Sequence, residues 1–442
     1  MKLNIRKKLV SLAVASVVSG GAMMAIPAQA MNISQQNKGE VLLFPYYTVK
    51  GGYDTLFSVV NTSNKTAAFK IRWREAVNSR ETRDFNVILS PHDVWTGAVT
   101  AGETNTVFRT YDKSCTSPQL PGMQTQAERA AAGSFGEVAF ANVGDNAEGY
   151  FEIVLMGVAD TVTNTGAAAA SLQTNALHNA AGVPANCTTV DQLFATQAGI
   201  DALNLQMSAP EDILKGSVTY INVAHGVAFS PNVTMIEDFS SDTLVFAPGD
   251  DAPDLSYGTP GNARYFEGGQ TINRGFSESQ DGVSYLLAQR AIANEFISGT
   301  NAGASWVVTM PTKHHYATSS TCYEIAMSLY NREEKTEVRL DETQFSPPPS
   351  AGTPLSLCNE STVINFNGVN IFGAGSNRLN VNTDTVGMQG WVNLTFVDDM
   401  STGASIEGIP VIGFAALVRD TADATTNYGS SEEFTGTRAV NP

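Results

Sequence analysis

The sequence predicts a mainly β protein, built as an antiparallel β-sandwich of Ig-like or jelly-roll-like type, with a few short helices and long insertions. Three observations predict this class. Many short runs alternate apolar with polar residues, turn-forming residues separate the runs, and helical periodicity is rare. This combination is typical of sheets that pack on a core. An outer-membrane β-barrel is the alternative architecture, although the chain ends in Val-Asn-Pro and not on an aromatic strand.

The most regular predicted strand is Ala68–Arg74, in which apolar and basic side chains alternate strictly. Val363–Phe372 predicts a hairpin, because Asn367-Gly368 suits the two-residue turn between two alternating arms. Further strands are predicted at runs of similar composition: Leu56–Val60, Phe85–Leu89, Val138–Asn142, Tyr150–Val158, Ser217–Val223, Trp306–Met310, Ala326–Tyr330, Thr336–Leu340 and Trp391–Val397.

Three helices are predicted. One begins just after Cys187, where Thr189 and Gln192 form a capping-box pair. A second covers Asp281–Phe296, whose apolar residues fall near helical spacing. A third, shorter helix is predicted at Thr125–Ala132 behind another capping-box pair.

The first thirty residues have the three-part layout of a secretory signal. A basic segment precedes the apolar stretch Leu9–Ile26, and small residues at Ala28 and Ala30 suit a signal peptidase. Cleavage is predicted after Ala30, which makes the mature protein an exported one, located in the periplasm or outside the cell. A membrane anchor is the alternative, but Pro27 breaks the short run. No later segment reaches the roughly 18 apolar residues of a membrane helix, so no span is predicted in the mature chain.

The mature chain is expected to be strongly acidic. The full chain has 26 basic and 43 acidic residues, and the signal removes four basic and no acidic ones, which leaves a net charge of −21. This charge repels phosphate backbones, so no nucleic-acid partner is expected.

Four cysteines lie in the mature part: Cys115, Cys187, Cys322 and Cys358. An even number in an exported chain predicts disulfides. The sequential pairing, Cys115 with Cys187 and Cys322 with Cys358, is preferred because it closes one loop in each half. The other two pairings and a four-thiolate zinc site are the alternatives, although the long spacings fit zinc poorly.

Composition divides the chain into two β-rich domains, 31–245 and 271–442, which either stand apart or pack as one unit. A stretch rich in Ala, Asn and Thr is predicted as an insertion at 160–186 of the first domain. A loop or linker rich in Pro, Gly and Asp is predicted at 246–270.

A basic stripe stands out against the acidic background: Lys70, Arg72 and Arg74, with Arg80 and Arg83 nearby. One interpretation is a contact for an acidic polymer. The favoured interpretation is a solvated sheet face or guarded edge, neutralised by neighbouring glutamates.

The search for catalytic residues gives none, and no cofactor is expected. The sequence lacks G-x-S-x-G and H-E-x-x-H. His92 beside Asp93 suggests a base with its orienting group, but a turn pair is favoured. His314 and His315 would point to opposite faces of a strand and could not chelate one metal together.

Calcium is the one ion for which the sequence offers candidate oxygen ligands. Asp250–Asp254 and the pair Asp398-Asp399 are acidic turns that could offer such ligands. The first lacks the glycine and terminal glutamate of an EF-hand loop, and a solvated acidic turn is the favoured interpretation of both.

Four strings carry a resemblance: Val41–Val49 (VLLFPYYTV), Arg74–Gly97 (with NSR, DFN and LSPHDVWTG), Trp306–Lys313 (WVVTMPTK) and Tyr330–Glu334 (YNREE). Together they resemble a group of uncharacterised secreted proteins of Gram-negative bacteria. The similarity runs over most of the mature chain and implies a common fold, but no activity and no functional residues. Val59–Trp73 is also similar to Ig-like modules, at the level of fold only.

The expected function is that of an exported, non-enzymatic β protein with a structural, adhesive or binding role in the envelope or extracellular matrix. A secreted polysaccharide-active hydrolase is the alternative, since carboxylates are plentiful. The partners considered are a surface glycan and a second copy that pairs through an edge strand near 40–49. Phe44–Tyr47 is interpreted as a core strand in preference to a carbohydrate platform.

Overall fold

The computed structural model describes residues 30–267, 270–317, 321–339, 355–400 and 406–438. Strands account for 45% and helices for 13%, which confirms the predicted mainly β class. The predicted signal up to residue 29 lies outside the described residues, and Ala30 begins the first strand. Within these ranges, none of the helices has the length and hydrophobicity needed to cross a bilayer.

The strands of the first half are β1 (Ala30–Ile33), β2 (Val41–Thr48), β3 (Asp54–Asn61), β4 (Thr66–Glu75), β5 (Glu81–Leu89), β6 (Val94–Ala101), β7 (Thr106–Thr110), β8 (Cys115–Ser117), β9 (Gly136–Ala139), β10 (Glu148–Ala159), β11 (Leu214–Asn222), β12 (Val227–Phe229) and β13 (Thr234–Glu237).

The strands of the second half are β14 (Gly261–Glu267), β15 (Gln270–Phe276), β16 (Ala288–Gln289), β17 (Ala291–Gly299), β18 (Ala302–Thr309), β19 (Tyr323–Asn331), β20 (Thr336–Arg339), β21 (Ser356–Leu357), β22 (Ser361–Phe366), β23 (Arg378–Val381), β24 (Gln389–Phe396), β25 (Ile409–Pro410), β26 (Ile412–Arg419), β27 (Tyr428–Glu433) and β28 (Thr435–Thr437).

The α-helices are short: α1 (Gln126–Ala130), α2 (Ala167–Ala176), α3 (Cys187–Phe194), α4 (Gln197–Gln206) and α5 (Ser279–Leu287). Single 3-10 turns lie at Lys50–Gly52, Lys313–His315 and Ala424–Thr426.

Three large sheets organise the described residues. A nine-stranded sheet has the order β15-β14-β1-β13-β2-β10-β4-β5-β8, and a six-stranded sheet has the order β12-β11-β3-β6-β7-β9. The third sheet runs β20-β19-β24-β17-β18-β22-β23, and β21, β26, β27 and β28 join it at the side. Strand pairs are antiparallel apart from β1 with β14 and β22 with β23.

The nine-stranded and six-stranded sheets pack face to face, in the sandwich-like manner that the sequence predicts. Aromatic rings fill the space between them: Phe57 of β3 lies 5.0 Å from Phe151 of β10, and Trp73 of β4 lies 5.3 Å from Phe108 of β7. These rings are all buried. Large apolar side chains from both sheets therefore form one core.

The second half contributes to this same core. Phe372 lies 5.3 Å from Tyr46, and Phe414 stacks on Tyr220 at 5.5 Å. The strands β14 and β15 extend the nine-stranded sheet, so the prediction of a loop over 246–270 is wrong for Gly261–Glu267, which forms β14. The two halves thus share core and sheet contacts on both sides of the predicted linker.

The other face of the nine-stranded sheet is also buried. Helices α2, α3 and α4 cover one part of it and contribute Leu172, Phe194 and Leu203 to a second core. The predicted insertion at 160–186 contains α2, whose apolar side packs on this face. Because both faces of the sheet are covered, neither the apolar nor the basic side chains of β4 face solvent.

Two sequence predictions of local structure are wrong. Asn367 and Gly368 do adopt positive φ angles of 50° and 75°, but no return arm follows, because Phe372 packs in the first core. The helix predicted over Asp281–Phe296 ends at Leu287, and Ala291–Gly299 is a strand that pairs with β24 and β28.

The other two helix predictions are close to the structure. The Thr125–Glu128 capping box is present at α1. The helix predicted after Cys187 is two helices, because Thr196 caps a new helix, and Asn186 rather than Thr189 caps the first.

The segment near 40–49 is not an edge strand. Strand β2 pairs with β13 on one side and β10 on the other, and all eight of its residues are buried. Self-association through this strand is therefore excluded in the folded protein, and Phe44–Tyr47 belongs to the core as favoured.

Candidate functional site

The cysteines form the preferred sequential pairs. Cys115 of β8 is bonded to Cys187 at the start of α3, and Cys322 is bonded to Cys358. Their Cα atoms are 5.1 Å and 3.9 Å apart, respectively. The first bond ties the nine-stranded sheet to its helical cover, and the second lies beside the turn that carries His314 and His315.

The basic stripe of β4 is buried, which contradicts both interpretations of it. Lys70 and Arg72 are each 1% exposed and Arg74 is 8% exposed. β4 is central in its sheet, between β10 and β5, so it is neither an edge nor a solvated face. Residues 246–254, here called the cover segment, lie over these three side chains.

The Lys70 ammonium is enclosed by oxygen atoms of the cover segment. It lies 3.2 Å from the Asp84 carboxylate and donates to three backbone carbonyls, those of Ala247 (2.8 Å), Asp250 (2.8 Å) and Ala252 (2.6 Å). Burial lowers the pKa of Lys70, although Asp84 opposes this effect. Part of the acidic loop that was a candidate calcium site thus binds the Lys70 ammonium.

The two arginines share one buried carboxylate. Arg74 lies 3.1 Å and Arg72 3.6 Å from Glu152 of β10, which is 1% exposed. Arg72 also donates to the carbonyls of Asp250 and Pro253, and Arg74 lies 3.9 Å from the Asp254 carboxylate. The basic stripe therefore anchors the cover segment and fixes the position of Asp254.

The two adjacent histidines meet Asp254 at this place. They lie on the 3-10 turn Lys313–His315 and not on a strand, so their rings share one side, with centroids 4.0 Å apart. One ligand atom each from His314, His315 and Asp254 lie within 4.8 Å of one another. The prediction that these histidines cannot face one metal is wrong, because it assumed an extended backbone.

Burial sets the protonation of this group. It lowers the pKa of both histidines, so that neutral imidazoles are favoured. Burial alone would raise the pKa of Asp254, but the hydrogen bonds that it accepts from Ser256, together with the nearby Arg74, hold it below its usual value. The group thus pairs two neutral nitrogen donors with an ionised carboxylate.

Lys313 anchors the turn that carries the two histidines. Its ammonium, fully buried, donates to the Cys358 carbonyl at 2.5 Å and lies 3.6 Å from Glu360. Burial raises the pKa of Glu360 to about 7 and lowers that of Lys313. The position of the histidine pair consequently depends on the strand that begins near the second disulfide.

A second histidine cluster looks catalytic but has the wrong geometry. Ser90 Oγ and an Asp93 oxygen lie 3.1 Å and 3.4 Å from the same atom, Nδ1 of His178. A Ser-His-Asp relay needs the hydroxyl and the carboxylate on opposite ring nitrogens. His92 is exposed in its turn, with φ of 59°, so the favoured turn interpretation of His92-Asp93 agrees with the structure.

Further carboxyl groups with raised pKa values lie elsewhere, among them Glu40 and Asp212. Burial raises the pKa of Glu40 to about 8 and that of Asp212 to about 6. Glu40 is 1% exposed and accepts the backbone N–H of Ser240. Neither of them lines the cavity of about 290 Å³ beside Asp238.

Glu40 is expected to make the protein less stable as pH rises. Its folded pKa lies above its usual 4.5, so between about pH 4.5 and 8 the folded state binds the extra proton and stability falls with pH. Glu40→Gln is expected to reduce this slope and, at pH 8, to raise the free energy of unfolding by at least about 1 kcal/mol. Urea unfolding at pH 5 and pH 8 measures both effects.

Glu211→Gln is the matched control, because its carboxyl pairs with Lys65 at the surface. It should keep the wild-type pH slope, since Glu40 is untouched. Equal slopes for Glu40→Gln and the wild type would contradict the assignment.

The outer face of the six-stranded sheet carries an open cavity of about 460 Å³, here called the outer trough. Two rows of side chains cross the strands in register to form its floor. One row is Ser217, Ser58 and Thr96, and the next is Thr219, Leu56, Ala98 and Arg109. Tyr111, 62% exposed, stands at one end.

The chain matches no protein-family model, no curated protein and no solved structure. Interpretation of these sites therefore depends on their geometry.

Sequence reasoning missed both the outer trough and the Asp254–His314–His315 group. One signal could have revealed the second: Pro311 lies two residues after the strand that ends at Thr309, and proline is disfavoured inside a sheet. The histidines after it were therefore more compatible with a turn.

Proposed function

We propose that the protein is an exported, non-enzymatic binding protein that holds a neutral surface glycan in the outer trough. The trough is the observation that carries this proposal. Its volume lies in the range of ligand sites in proteins, and it is open to solvent on a rigid sheet. Export by a signal removed after Ala30 belongs to the same proposal and is supported by the two disulfides.

The floor of the trough has the chemistry of a sugar-binding surface. Ser58 and Ser217 hydroxyls lie 2.8 Å apart, and Thr96 is next in the row. Each hydroxyl can donate and accept, which suits the hydroxyl groups of a saccharide. Leu56, 40% exposed, offers an apolar surface beside this row for the C–H face of a sugar ring.

The end of the trough adds an aromatic wall. Tyr111 lies 5.6 Å from Phe135, and the Arg109 guanidinium lies 5.0 Å over the Phe135 ring. An exposed tyrosine presents an apolar ring with a polar tip and is a frequent anchor in binding sites. This wall favours a ligand with both apolar and hydroxyl surfaces over a purely apolar one.

A neutral glycan is favoured over an acidic one on grounds of charge. The chain has an excess of acidic residues, which repels polyanions. Arg109, the cation at the trough, is already paired with Glu137. Acidic polysaccharides are therefore expected to bind more weakly.

Tyr111→Ala is expected to weaken glycan binding at least about tenfold, because it removes the aromatic wall. Thr96→Tyr is expected to weaken it similarly by filling the floor. The measurement is a screen of the mature protein on neutral and acidic glycans, followed by titration of the best ligand.

The matched control is Tyr428→Ala, because Tyr428 is also 62% exposed but lies outside the trough. It should bind like the wild type. Absence of binding to any glycan would overturn the proposal, and release of a shortened product would favour the hydrolase instead.

A further inference from the structure

We infer that Asp254, His314 and His315 form a site for a divalent transition-metal ion of the zinc class. The site is independent of the outer trough. Its three ligand atoms come from two distant parts of the chain, the cover segment and the 3-10 turn after β18, and converge within 4.8 Å.

Buried histidine nitrogens without a hydrogen-bond partner also point to a ligand at this place. The Nε2 atoms of both histidines are buried and have no hydrogen-bond partner among the described residues. A buried polar atom without a partner costs free energy, so such atoms in one place call for an explanation. A metal ion bound to these nitrogens supplies one.

The other ring nitrogen of His314, Nδ1, already has a hydrogen-bonding neighbour. Nδ1 of His314 lies 3.5 Å from the Tyr150 hydroxyl. That hydroxyl lies 2.7 Å from Ser79 Oγ and 3.4 Å from the Pro311 carbonyl, to which it can donate. A histidine that ligates a metal usually donates from its other nitrogen in this way, which fixes the tautomer.

The ligand set selects the class of metal. Two imidazoles and one carboxylate suit Zn²⁺ and its transition-metal neighbours, whereas Ca²⁺ requires six or more oxygen ligands. Three protein ligands also leave a fourth position open. One Asp254 oxygen accepts from the Ser256 N–H and hydroxyl, which orients the carboxylate and leaves the second oxygen for the ion.

Charges of both signs lie beside the site. Arg74 donates to Glu152 at 3.1 Å and is 3.9 Å from Asp254, so Glu152 is its closer partner. The second oxygen of Glu152 is buried without a hydrogen bond, and this carboxylate interacts electrostatically with His315. It thus contributes negative charge beside the site.

Metal binding is expected to tighten the attachment of the cover segment. Asp254 lies on the cover segment and both histidines lie on the 3-10 turn, so an ion bound to all three would bridge the two segments.

The test uses tag-free, chelator-treated mature protein, because a histidine tag binds the same metals. Zn²⁺ titration against a chromophoric chelator is expected to show one site per chain, and Co²⁺ to give the absorption of a tetrahedral ion with nitrogen ligands. His314→Gln and His315→Gln should each weaken Zn²⁺ binding at least about 100-fold, and Tyr150→Phe about tenfold. Excess Ca²⁺ should not compete.

His225→Gln is the matched control, since His225 forms an exposed pair with Asp420 at 3.0 Å, away from the site. It should retain wild-type affinity. No stoichiometric binding by the wild type, or unchanged affinity in the double variant His314→Gln/His315→Gln, would overturn the inference. If a variant fails to fold, X-ray absorption of the zinc-loaded wild type decides, because a coordination shell without imidazole is incompatible with the site.

Discussion

Lys70→Met is expected to destabilise the protein by about 3–5 kcal/mol, the usual cost of removing one partner from a buried charged pair. The substitution keeps an unbranched side chain close to the length of the lysine methylene chain but removes the ammonium. The Asp84 carboxylate and three carbonyls of the cover segment then lose a buried donor and cannot be reached freely by water. Urea unfolding measures the loss, and limited proteolysis should show cleavage beginning within 246–254.

The control for this variant is Lys65→Met, five residues earlier. Lys65 pairs with Glu211 at the surface, where both side chains are partly exposed. Such pairs contribute little, so a change of no more than about 1 kcal/mol is expected. If both lysine variants unfold at the same urea concentration, the enclosure of Lys70 does not stabilise the fold.

Removing the first disulfide by Cys115→Ala/Cys187→Ala is expected to lower the free energy of unfolding by about 4 kcal/mol. The bond closes a loop of 72 residues, and the cost reflects the greater freedom of the unfolded chain without it. Both cysteines are buried, at 0% and 2% exposure, so small cavities add to the loss. Chemical denaturation under non-reducing conditions measures the difference.

Cys322→Ala/Cys358→Ala provides the comparison. Its loop is half as long, with a sequence separation of 36, so its loss is expected to be smaller by about 0.6 kcal/mol. An opposite order would show that native contacts near the bonds outweigh loop length. Peptide mapping without reduction tests the pairing itself, and any cross-linked peptide joining the two halves would contradict it.

The sequence predicts the structure best where the residues that define an element lie close together in the chain. Strands β4 and β10 were predicted within a few residues, because apolar side chains alternate with basic ones in β4 and form an almost continuous run in β10. The capping box at Thr125 was predicted because its partners lie three residues apart. In each case, the interactions that define the element are close in sequence.

Predictions failed where distant residues decide the structure. Ile292 and Phe296 are four apart, as on one face of a helix, yet pairing with β24 and β28 places them on a strand. Likewise, the alternation in β4 could not reveal that its basic face is covered, because the cover comes from a segment far along the chain. The histidine site depends on this same segment and was therefore missed.

The separation between Lys70 and its acceptors also has a consequence for the order of folding. The three carbonyls lie 177 to 182 positions after the lysine. Contacts of such long range form slowly, because a large loop must close first. We therefore expect β4, β5 and β10 to pair before residues 246–254 dock over the basic strand.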